Sequence, residues 1–205
     1  HASDRMRIAL VTETFPPEVN GVAMTVQQFA DQLRALGHEV LLARPRQAHE
    51  ARTASTQSEM LSRGLALPRY PGLRFGLPSG RALRAQWRDA RPDAVYVATE
   101  GPLGWSALRT ARDLDLPVAT GFHTRFDLFV GHYGAGLLRP LALAWMRSFH
   151  NRAHATLVPT EELRQWLARI GVRNPVRLAR GVDTALYTPE RRDEALRRQW
   201  GLEPD

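Results

Sequence analysis

The feature that most constrains the fold is a regular alternation of short apolar runs with segments of helical periodicity. Connections of only a few residues separate them, a pattern that predicts parallel strands joined by crossover helices in a doubly wound α/β domain. The predicted strands are MRIALVT, HEVLLAR, DAVYVAT, PVATGFHT, ATLVPT and PVRLARG. The predicted helices are residues 22–36, SGRALRAQWRDARP, GPLGWSALRTARDL, residues 137–153, EELRQWLARIG and PERRDEALRRQWG.

One segment interrupts this alternation. Residues 46–63 are polar with little apolar rhythm, which predicts a mobile excursion, and GLALPRYPG after them predicts a short strand. No internal repeat or obvious linker divides the sequence, and 205 residues with 43% hydrophobic content can bury a sizeable core. We therefore predict that residues 1–205 form one domain.

Three loops are predicted to share the ligand-binding edge of the sheet, where the carboxyl ends of the strands lie. They are TETFPPEVNG, TEGPLG and GFHTRFDLF. The first contains two prolines and enters its helix through Asn20-Gly21. Glycine lets a ligand approach the backbone, and the N–H groups of a first helical turn favour an anion such as a diphosphate. A tight turn with a helix N-cap explains the same two residues without a ligand.

Polar residues on the other two loops are candidates for substrate contacts. His123 follows an apolar strand, where its imidazole can hydrogen-bond a sugar hydroxyl or act as a structural histidine. Glu100 can accept a hydroxyl proton or cap the helix that begins at Gly101. His38 is predicted to be structural, because it precedes the second strand and so lies at the opposite edge of the sheet.

Composition argues against several classes of function. The chain has no cysteine, which removes disulfides, thiolate metal sites and a cysteine nucleophile. All 28 basic residues are arginine, which removes lysine Schiff bases and the P-loop lysine. The net charge of +7 favours an anionic partner such as a phosphorylated small molecule or an anionic lipid surface. We predict no nucleic-acid partner, because the arginines are scattered and no DNA or RNA motif accompanies them.

Five motifs along the chain resemble one enzyme family. They are PPEVNG, LRALGHEV, GFHT, VPT and RGVDTALYTP. Their order and rough spacing are similar to those in the N-terminal half of retaining GT-B glycosyltransferases of family 4, which include bacterial lipid-directed mannosyl- and glucosyltransferases. The resemblance spans residues 6–200. It implies a Rossmann-like domain that forms one half of a GT-B fold and holds the acceptor.

The resemblance also implies a role for each candidate residue. Asn20, Gly21 and Val22 match the loop whose backbone approaches the donor phosphates, although many members have glycine where this chain has Asn20. His123 matches the cleft histidine that contacts the transferred sugar, and it is assigned the catalytic role. The residues assigned to the acceptor are Glu100, Arg125 and Tyr133.

The reaction implied by the resemblance is transfer of a sugar from a UDP- or GDP-sugar to a hydroxyl acceptor, with lipids among the acceptors. It uses no cofactor and no protein-bound metal. The donor-binding second domain of the family is expected to be absent here, so residues 1–205 alone are expected to be inactive. Two alternatives stay open: a GT-B epimerase or phosphorylase domain, and a stand-alone module that binds an anionic polymer or membrane.

A basic stripe on the helix SGRALRAQWRDARP raises the question of a membrane surface. Four of its arginines fall on one side of the helix: Arg81, Arg84, Arg88 and Arg91. This pattern resembles an interfacial helix with Trp87 at headgroup depth, but an outer helix packed on a sheet has the same pattern. No apolar segment is long enough to span a bilayer and no signal peptide is evident. We therefore expect a cytoplasmic protein, with peripheral attachment to the inner face of the membrane as an open alternative.

Overall fold

A parallel sheet of seven strands forms the centre of the domain. The computed structural model describes residues 5–18, 20–51, 55–66, 74–123 and 139–178. The strands are β1 (Arg7–Val11), β2 (Glu39–Pro45), β3 (Glu59–Ser62), β4 (Gly64–Ala66), β5 (Arg74–Gly76), β6 (Ala94–Val97), β7 (Val118–Gly121), β8 (Ala155–Val158) and β9 (Pro175–Arg177). All of them except β4 and β5 belong to the seven-stranded sheet. The helices are α1 (Gly21–Ala35), α2 (Gly80–Asp89), α3 (Pro102–Asp113), α4 (Arg139–His150) and α5 (Glu161–Arg169).

The central strands are apolar on both faces, as parallel strands covered by helices must be. In β1, Ala9, Leu10 and Val11 are almost fully buried. Successive residues of a strand point to opposite faces. Ala9 and Val11 therefore join the core beneath α2 and α3, whereas Leu10 joins the core beneath α1. Helices on both faces confirm the predicted doubly wound α/β fold.

The order of strands reverses its direction between β1 and β6. The full order is β3-β2-β1-β6-β7-β8-β9, so the chain builds outward from β1 on one side and later returns to its other side. Ligands of such sheets bind outside the carboxyl ends of the strands at this reversal. The loops after β1 and β6 meet there, since the Glu13 N–H donates to Thr99 Oγ1 at 2.9 Å.

Part of the polar stretch predicted as an irregular excursion is a strand. Residues 59–62 form β3, which pairs in parallel with β2 at the edge of the sheet, so that prediction is wrong for these residues. Arg44 of β2 holds the stretch in place, because its guanidinium bonds Glu50 at 2.5 Å and Glu59 at 2.6 Å. The hydrogen bonds from Arg44 lower the pKa of Glu50 to about 2. Local periodicity does not reveal such ion pairs.

The other elements predicted within the described residues appear with ends shifted by a few residues. The short strand predicted in GLALPRYPG is β4, which pairs antiparallel with β5 outside the main sheet. None of the described helices is both long and apolar enough to cross a bilayer. The motif RGVDTALYTP and the predicted helix PERRDEALRRQWG lie outside the described residues.

Candidate active site

The loop that leaves β1 is held together by its own polar side chains. Thr14 Oγ1 donates to Glu18 Oε2 at 2.7 Å and accepts from Asn20 Nδ2 at 2.6 Å. Glu18 is only 6% exposed, and its carboxylate also accepts from Gln47 Nε2 at 3.2 Å. These bonds fix the start of α1 relative to the loops that follow β1 and β2.

The first turn of α1 lies at the carboxyl edge of the sheet. Asn20 is its N-cap, since Asn20 Oδ1 accepts from the Ala23 N–H at 2.9 Å. The N-cap considered in the sequence analysis is therefore present. The N–H groups of Gly21 and Val22 precede the first hydrogen bond within the helix, so they remain at its positive end. Such an end of a helix is suited to an anion.

His123 lies two residues after the end of β7 at the same edge. Its Nε2 lies 3.1 Å from Tyr96 Oη, which projects from the neighbouring strand β6. Both side chains line a cavity of about 250 Å³, to which α1 contributes Gln28, Phe29 and Gln32. The described structure therefore places an imidazole and a phenol, both able to donate and accept hydrogen bonds, beside a partly apolar cavity.

The contact between Tyr96 and His123 depends on glycine at position 121. A Cβ built on Gly121 would lie 2.0 Å from Tyr96 Oη and 2.7 Å from His123 Nε2. Both distances are shorter than real carbon atoms permit, so a larger residue would push the two polar groups apart. The glycine of the GFHT motif thus leaves the space in which they meet.

Glu13 is a buried carboxylate that caps the start of α3. It accepts hydrogen bonds from the N–H groups of Gly101 at 3.1 Å, Leu103 at 2.8 Å and Gly104 at 3.4 Å, and from the Thr99 hydroxyl. Burial raises the pKa of Glu13 to about 7, although these hydrogen bonds favour the ionised form. A group that titrates near neutral pH thus joins the loops after β1 and β6.

We expect Glu13 to lower the free energy of unfolding as the pH rises from 4.5 to about 7. Its pKa is higher in the folded chain than in the unfolded chain, so in this range the folded state binds more protons and loses stability with increasing pH. The shift corresponds to about 3 kcal/mol. Glu13→Gln should lack this contribution, which urea unfolding of both proteins across this pH range would measure. Parallel pH profiles would contradict the assignment.

The side chain of Glu100 turns inward, towards α4. Its Oε1 lies 2.7 Å from Nε2 of the buried His150, whose Nδ1 lies 2.7 Å from Thr120 Oγ1. The backbone carbonyl of Glu100 accepts from Trp145 Nε1 at 3.0 Å. The helix-cap interpretation of Glu100 is therefore wrong, because Glu13 has that role. An acceptor contact by Glu100, whose side chain is 19% exposed, stays a prediction.

The other residues assigned to the acceptor, Arg125 and Tyr133, lie outside the described residues, and their role also stays a prediction. His38 lies at the opposite edge, where its Nδ1 accepts from the Met6 N–H at 3.2 Å. This contact is the structural one that its position predicted. In the part of the chain that the structure describes, no group of three or more His, Asp or Glu side chains could hold a metal ion.

The four arginines of the predicted basic stripe, three on α2 and Arg91 just after it, differ in their surroundings. Arg84 pairs with Asp113 at 2.6 Å, and Arg91 donates to the Leu114 carbonyl at 2.9 Å. Two others, Arg81 and Arg88, are exposed. Trp87 of the same helix is 1% exposed and belongs to the core, so of the two interpretations the outer helix packed on the sheet is confirmed and a place at headgroup depth is wrong. The apolar face of α2 packs on the sheet, as in any outer helix of such a domain.

Sequence reasoning missed Glu13 and Tyr96 as members of the site. The sequence does contain a signal for Glu13. The N-cap of α3 is Gly101, which has no side chain that could cap the helix. An acid after a neighbouring strand can supply the missing cap. Tyr96 has no comparable local signal, since its contact with His123 depends on β6 lying next to β7.

A sequence comparison decides the family. The pattern of Glycosyltransferase Family 4 matches residues 19–198. The chain belongs to glycosyltransferase family 4. The first loop from Asn20 onward, His123 and the cavity beside it all fall within the matched region, and the resemblance noted from the five motifs is confirmed.

Relatives of this family-4 chain include GDP-mannose-dependent alpha-mannosyltransferases. The protein from Mycobacterium tuberculosis is 34% identical over 203 residues, which are 95% of this chain and 52% of the relative. The protein from Mycolicibacterium smegmatis is 35% identical over 203 residues, with 95% and 53% covered. An alpha-monoglucosyldiacylglycerol synthase from Streptococcus pneumoniae is 26% identical over 204 residues, with 94% and 44% covered. The chain thus spans about half the length of the curated relatives it matches.

Solved structures agree on the fold of this family-4 domain. Sucrose-phosphate synthase from Thermosynechococcus elongatus aligns with a TM-score of 0.65 at 14% identity, covering 97% of this chain and 53% of that one. A glycosyltransferase from Rickettsia africae aligns with a TM-score of 0.56 at 15% identity, covering 99% and 51%. At such identities the likeness concerns the fold alone. It confirms the Rossmann-like architecture of one half of a GT-B glycosyltransferase.

Proposed function

We propose that this chain is the acceptor-side domain of a retaining glycosyltransferase that moves a mannosyl group from GDP-mannose to a hydroxyl of a lipid. The observation that carries the proposal is His123, which lies beside Tyr96 on the wall of a cavity at the carboxyl edge of the sheet. Two relatives described as GDP-mannose-dependent favour this donor. The glucosyldiacylglycerol synthase among the relatives favours a lipid acceptor.

The described residues have distinct tasks in this reaction. The N–H groups of Gly21 and Val22, at the positive end of α1, stabilise the negative charge that develops on the leaving diphosphate. His123 donates a hydrogen bond to the transferred sugar, and Tyr96 orients the imidazole. Because the chain spans about half the length of its relatives, we assign the nucleotide of the donor to a second domain of the full-length enzyme.

A transfer assay tests this proposal. The full-length enzyme is mixed with GDP-mannose or UDP-glucose and with diacylglycerol in detergent micelles, and the glycolipid product is quantified. We expect product from the full-length enzyme, more with GDP-mannose than with UDP-glucose, and none from residues 1–205 alone. Epimerisation of the donor without transfer would overturn the proposed reaction. Transfer by residues 1–205 alone would overturn the division into two domains.

Gly21→Val should reduce transfer strongly without a matching loss of stability. A Cβ built on Gly21 has no described atom within 4 Å, so the described fold does not itself require glycine here. A side chain at this position would instead block a diphosphate from the backbone of the first turn. The measurement is kcat/KM for the donor together with the melting temperature.

The matched control for Gly21 is Gly80→Ala, which adds a Cβ at the first position of α2. That Cβ would lie 3.6 Å from Thr110 Oγ1, an ordinary contact distance. We expect Gly80→Ala to retain activity. A Gly21→Val variant that melts early in proportion to its loss of activity would assign Gly21 a purely conformational role.

We also propose that α2 binds the surface of an anionic membrane. Since Trp87 lies in the core, the attachment rests on the exposed arginines Arg81 and Arg88. Each arginine near an anionic leaflet contributes about 1 kcal/mol, so Arg81→Glu with Arg88→Glu should weaken binding to anionic vesicles at least about tenfold. Added salt should weaken binding as well, because the attraction is electrostatic.

Co-sedimentation with vesicles of phosphatidylglycerol and phosphatidylcholine measures this effect. The control is Arg34→Glu with Arg169→Glu, which makes the same change in net charge on α1 and α5. Both residues are exposed. Equal losses in the two double variants would show that net charge, rather than α2, determines binding. Absence of binding at low salt would eliminate the membrane proposal.

A further inference from the structure

A second concave patch, remote from the proposed active site, is lined by arginines. It lies at the amino edge of the sheet, because α3 and α4 run antiparallel to the strands and end there. Its volume is about 410 Å³. Four arginines line it: Arg112, Arg147, Arg152 and Arg173. We call it the arginine patch.

No carboxylate of the described residues lines the arginine patch. In the described part of the chain, none of its four arginines forms an ion pair. Other arginines do, as Arg44 pairs with Glu50 and Arg84 pairs with Asp113. Asp113 follows directly after Arg112 in α3, yet its carboxylate is bonded to α2 instead. Four like charges therefore share one concavity.

Two of the arginines come from loops and are held by specific contacts. The guanidinium of Arg152 lies over the ring of Trp105, 4.2 Å from its centroid. Its Nε is buried and has no hydrogen-bond partner in the described structure. Arg173 is held by Asn151. The backbone N–H of Arg173 donates to Asn151 Oδ1 at 2.8 Å, and its side-chain Nη2 donates to the Asn151 carbonyl at 3.2 Å. Groups already fixed in this way lose little conformational freedom when a ligand binds.

The other two arginines lie in the last turns of helices. The helix dipole favours a cation at such a position, which explains Arg112 of α3 and Arg147 of α4 separately. It does not explain why both meet Arg152 and Arg173 around one space. The stem of Arg147 lies close to Gly171, where an added Cβ would be 2.9 Å from Arg147 Cδ. Glycine at that position thus leaves room for the arginine.

We propose that the arginine patch binds a phosphate group that carries two negative charges. The planar fork of arginine matches phosphate oxygens, and several arginines around a concavity concentrate the field that attracts an anion. Ser148, exposed between Arg147 and the end of α4, adds a hydroxyl donor to the same wall. The phosphate belongs either to a free phosphorylated molecule or to the headgroup of a lipid.

Inorganic phosphate is the first probe. Isothermal titration at constant ionic strength, adjusted with chloride, should show saturable binding that Arg112→Gln with Arg147→Gln weakens at least about tenfold. The matched control, Arg34→Gln with Arg169→Gln, removes the same charge from the exposed surfaces of α1 and α5 and should leave the affinity for phosphate unchanged. No saturable binding, or equal weakening in both double variants, would overturn the proposal.

A second variant tests the site by adding charge instead of removing it. Ser148→Glu places a carboxylate among the arginines at an exposed position in the last turn of α4, where attraction to the arginines offsets the unfavourable helix dipole. We expect it to abolish phosphate binding, and the melting temperature checks that the variant is folded. Unchanged phosphate affinity in a folded Ser148→Glu protein would overturn the proposal.

Vesicles then distinguish the two sources of the phosphate. Phosphatidic acid in phosphatidylcholine is compared with phosphatidylcholine alone. If Arg112→Gln with Arg147→Gln reduces binding to the phosphatidic acid vesicles, the ligand is a lipid headgroup. If that variant loses inorganic phosphate but sediments with vesicles as the wild type does, the ligand is a free phosphorylated molecule. Either result supports the phosphate site, whereas retention of both activities by the variant contradicts it.

Discussion

His123→Ala in the full-length enzyme should lower kcat and kcat/KM together by at least about a hundredfold, with almost no change in melting temperature. A hydrogen-bond donor that acts on charge developing in the transition state affects both parameters, because its contribution is absent from the ground state. The imidazole lines the cavity rather than the core, and its Nε2 lies 3.1 Å from Tyr96 Oη. Its loss should therefore cost little stability.

Two further variants make this result specific. His38→Ala removes a histidine that accepts a backbone hydrogen bond at the opposite edge of the sheet, so it should cost some stability and leave transfer intact. Tyr96→Phe keeps the ring but removes the hydroxyl beside His123, so it should reduce kcat less than His123→Ala and alter the pH profile of kcat. Near-normal transfer by a His123→Ala enzyme that melts early would assign His123 a structural role.

Glu13→Ala should lower the free energy of unfolding by about 3 kcal/mol or more, because each buried donor left without a partner costs about 1 to 3 kcal/mol. The substitution removes the acceptor for the N–H groups of Gly101, Leu103 and Gly104. It also leaves a void at a position that is 5% exposed. Water that enters this void can satisfy some donors, which limits the loss. Urea unfolding of the two proteins at about pH 5, below the pKa of about 7 of folded Glu13, gives the difference directly.

The matched control for this prediction is Glu39→Ala. Glu39 pairs with Arg7 at 2.9 Å, but both side chains are about one third exposed, so this ion pair should contribute less than about 1 kcal/mol. Glu13→Ala should also reduce transfer, because Glu13 connects the loops after β1 and β6 that border the proposed site. A loss no greater than that of Glu39→Ala would show that solvent replaces the cap at little cost.

Glu13 and His123 lie at the same edge of the sheet, but we expect Glu13 to affect mainly stability and His123 to affect mainly sugar transfer. The carboxylate joins two loops at the point where the strand order reverses, and the imidazole faces the cavity from the next strand along the sheet. In the proposed reaction, a fixed edge would keep the donor groups of α1 and the imidazole in position before substrate arrives, which lowers the cost of orienting them. Stability measurements therefore test Glu13, and kinetics test His123.

The sequence by itself determined the class of fold and which edge of the sheet carries the candidate site. Strand–helix alternation is a local property, and periods of 2 and 3.6 residues are readable without knowledge of any long-range contact. Parallel strands with short connections place the loops after β1, β6 and β7 at one edge of the sheet. His123 and Asn20 could therefore be named from their positions at the ends of elements. The family resemblance carried by five ordered motifs was equally a property of the sequence.

Only the tertiary structure decided which side chains meet. Strand order is not encoded in local periodicity, so the contact of Tyr96 with His123 followed from the pairing of β6 with β7. The cap from Glu13 to α3 joins groups about ninety positions apart. The ion pair of Arg44 with Glu59 holds part of the polar stretch against β2 as the edge strand β3. Trp87 has the same place in the helical pattern whether it faces lipid or the sheet. Burial against the core, a long-range effect, is what placed it inside.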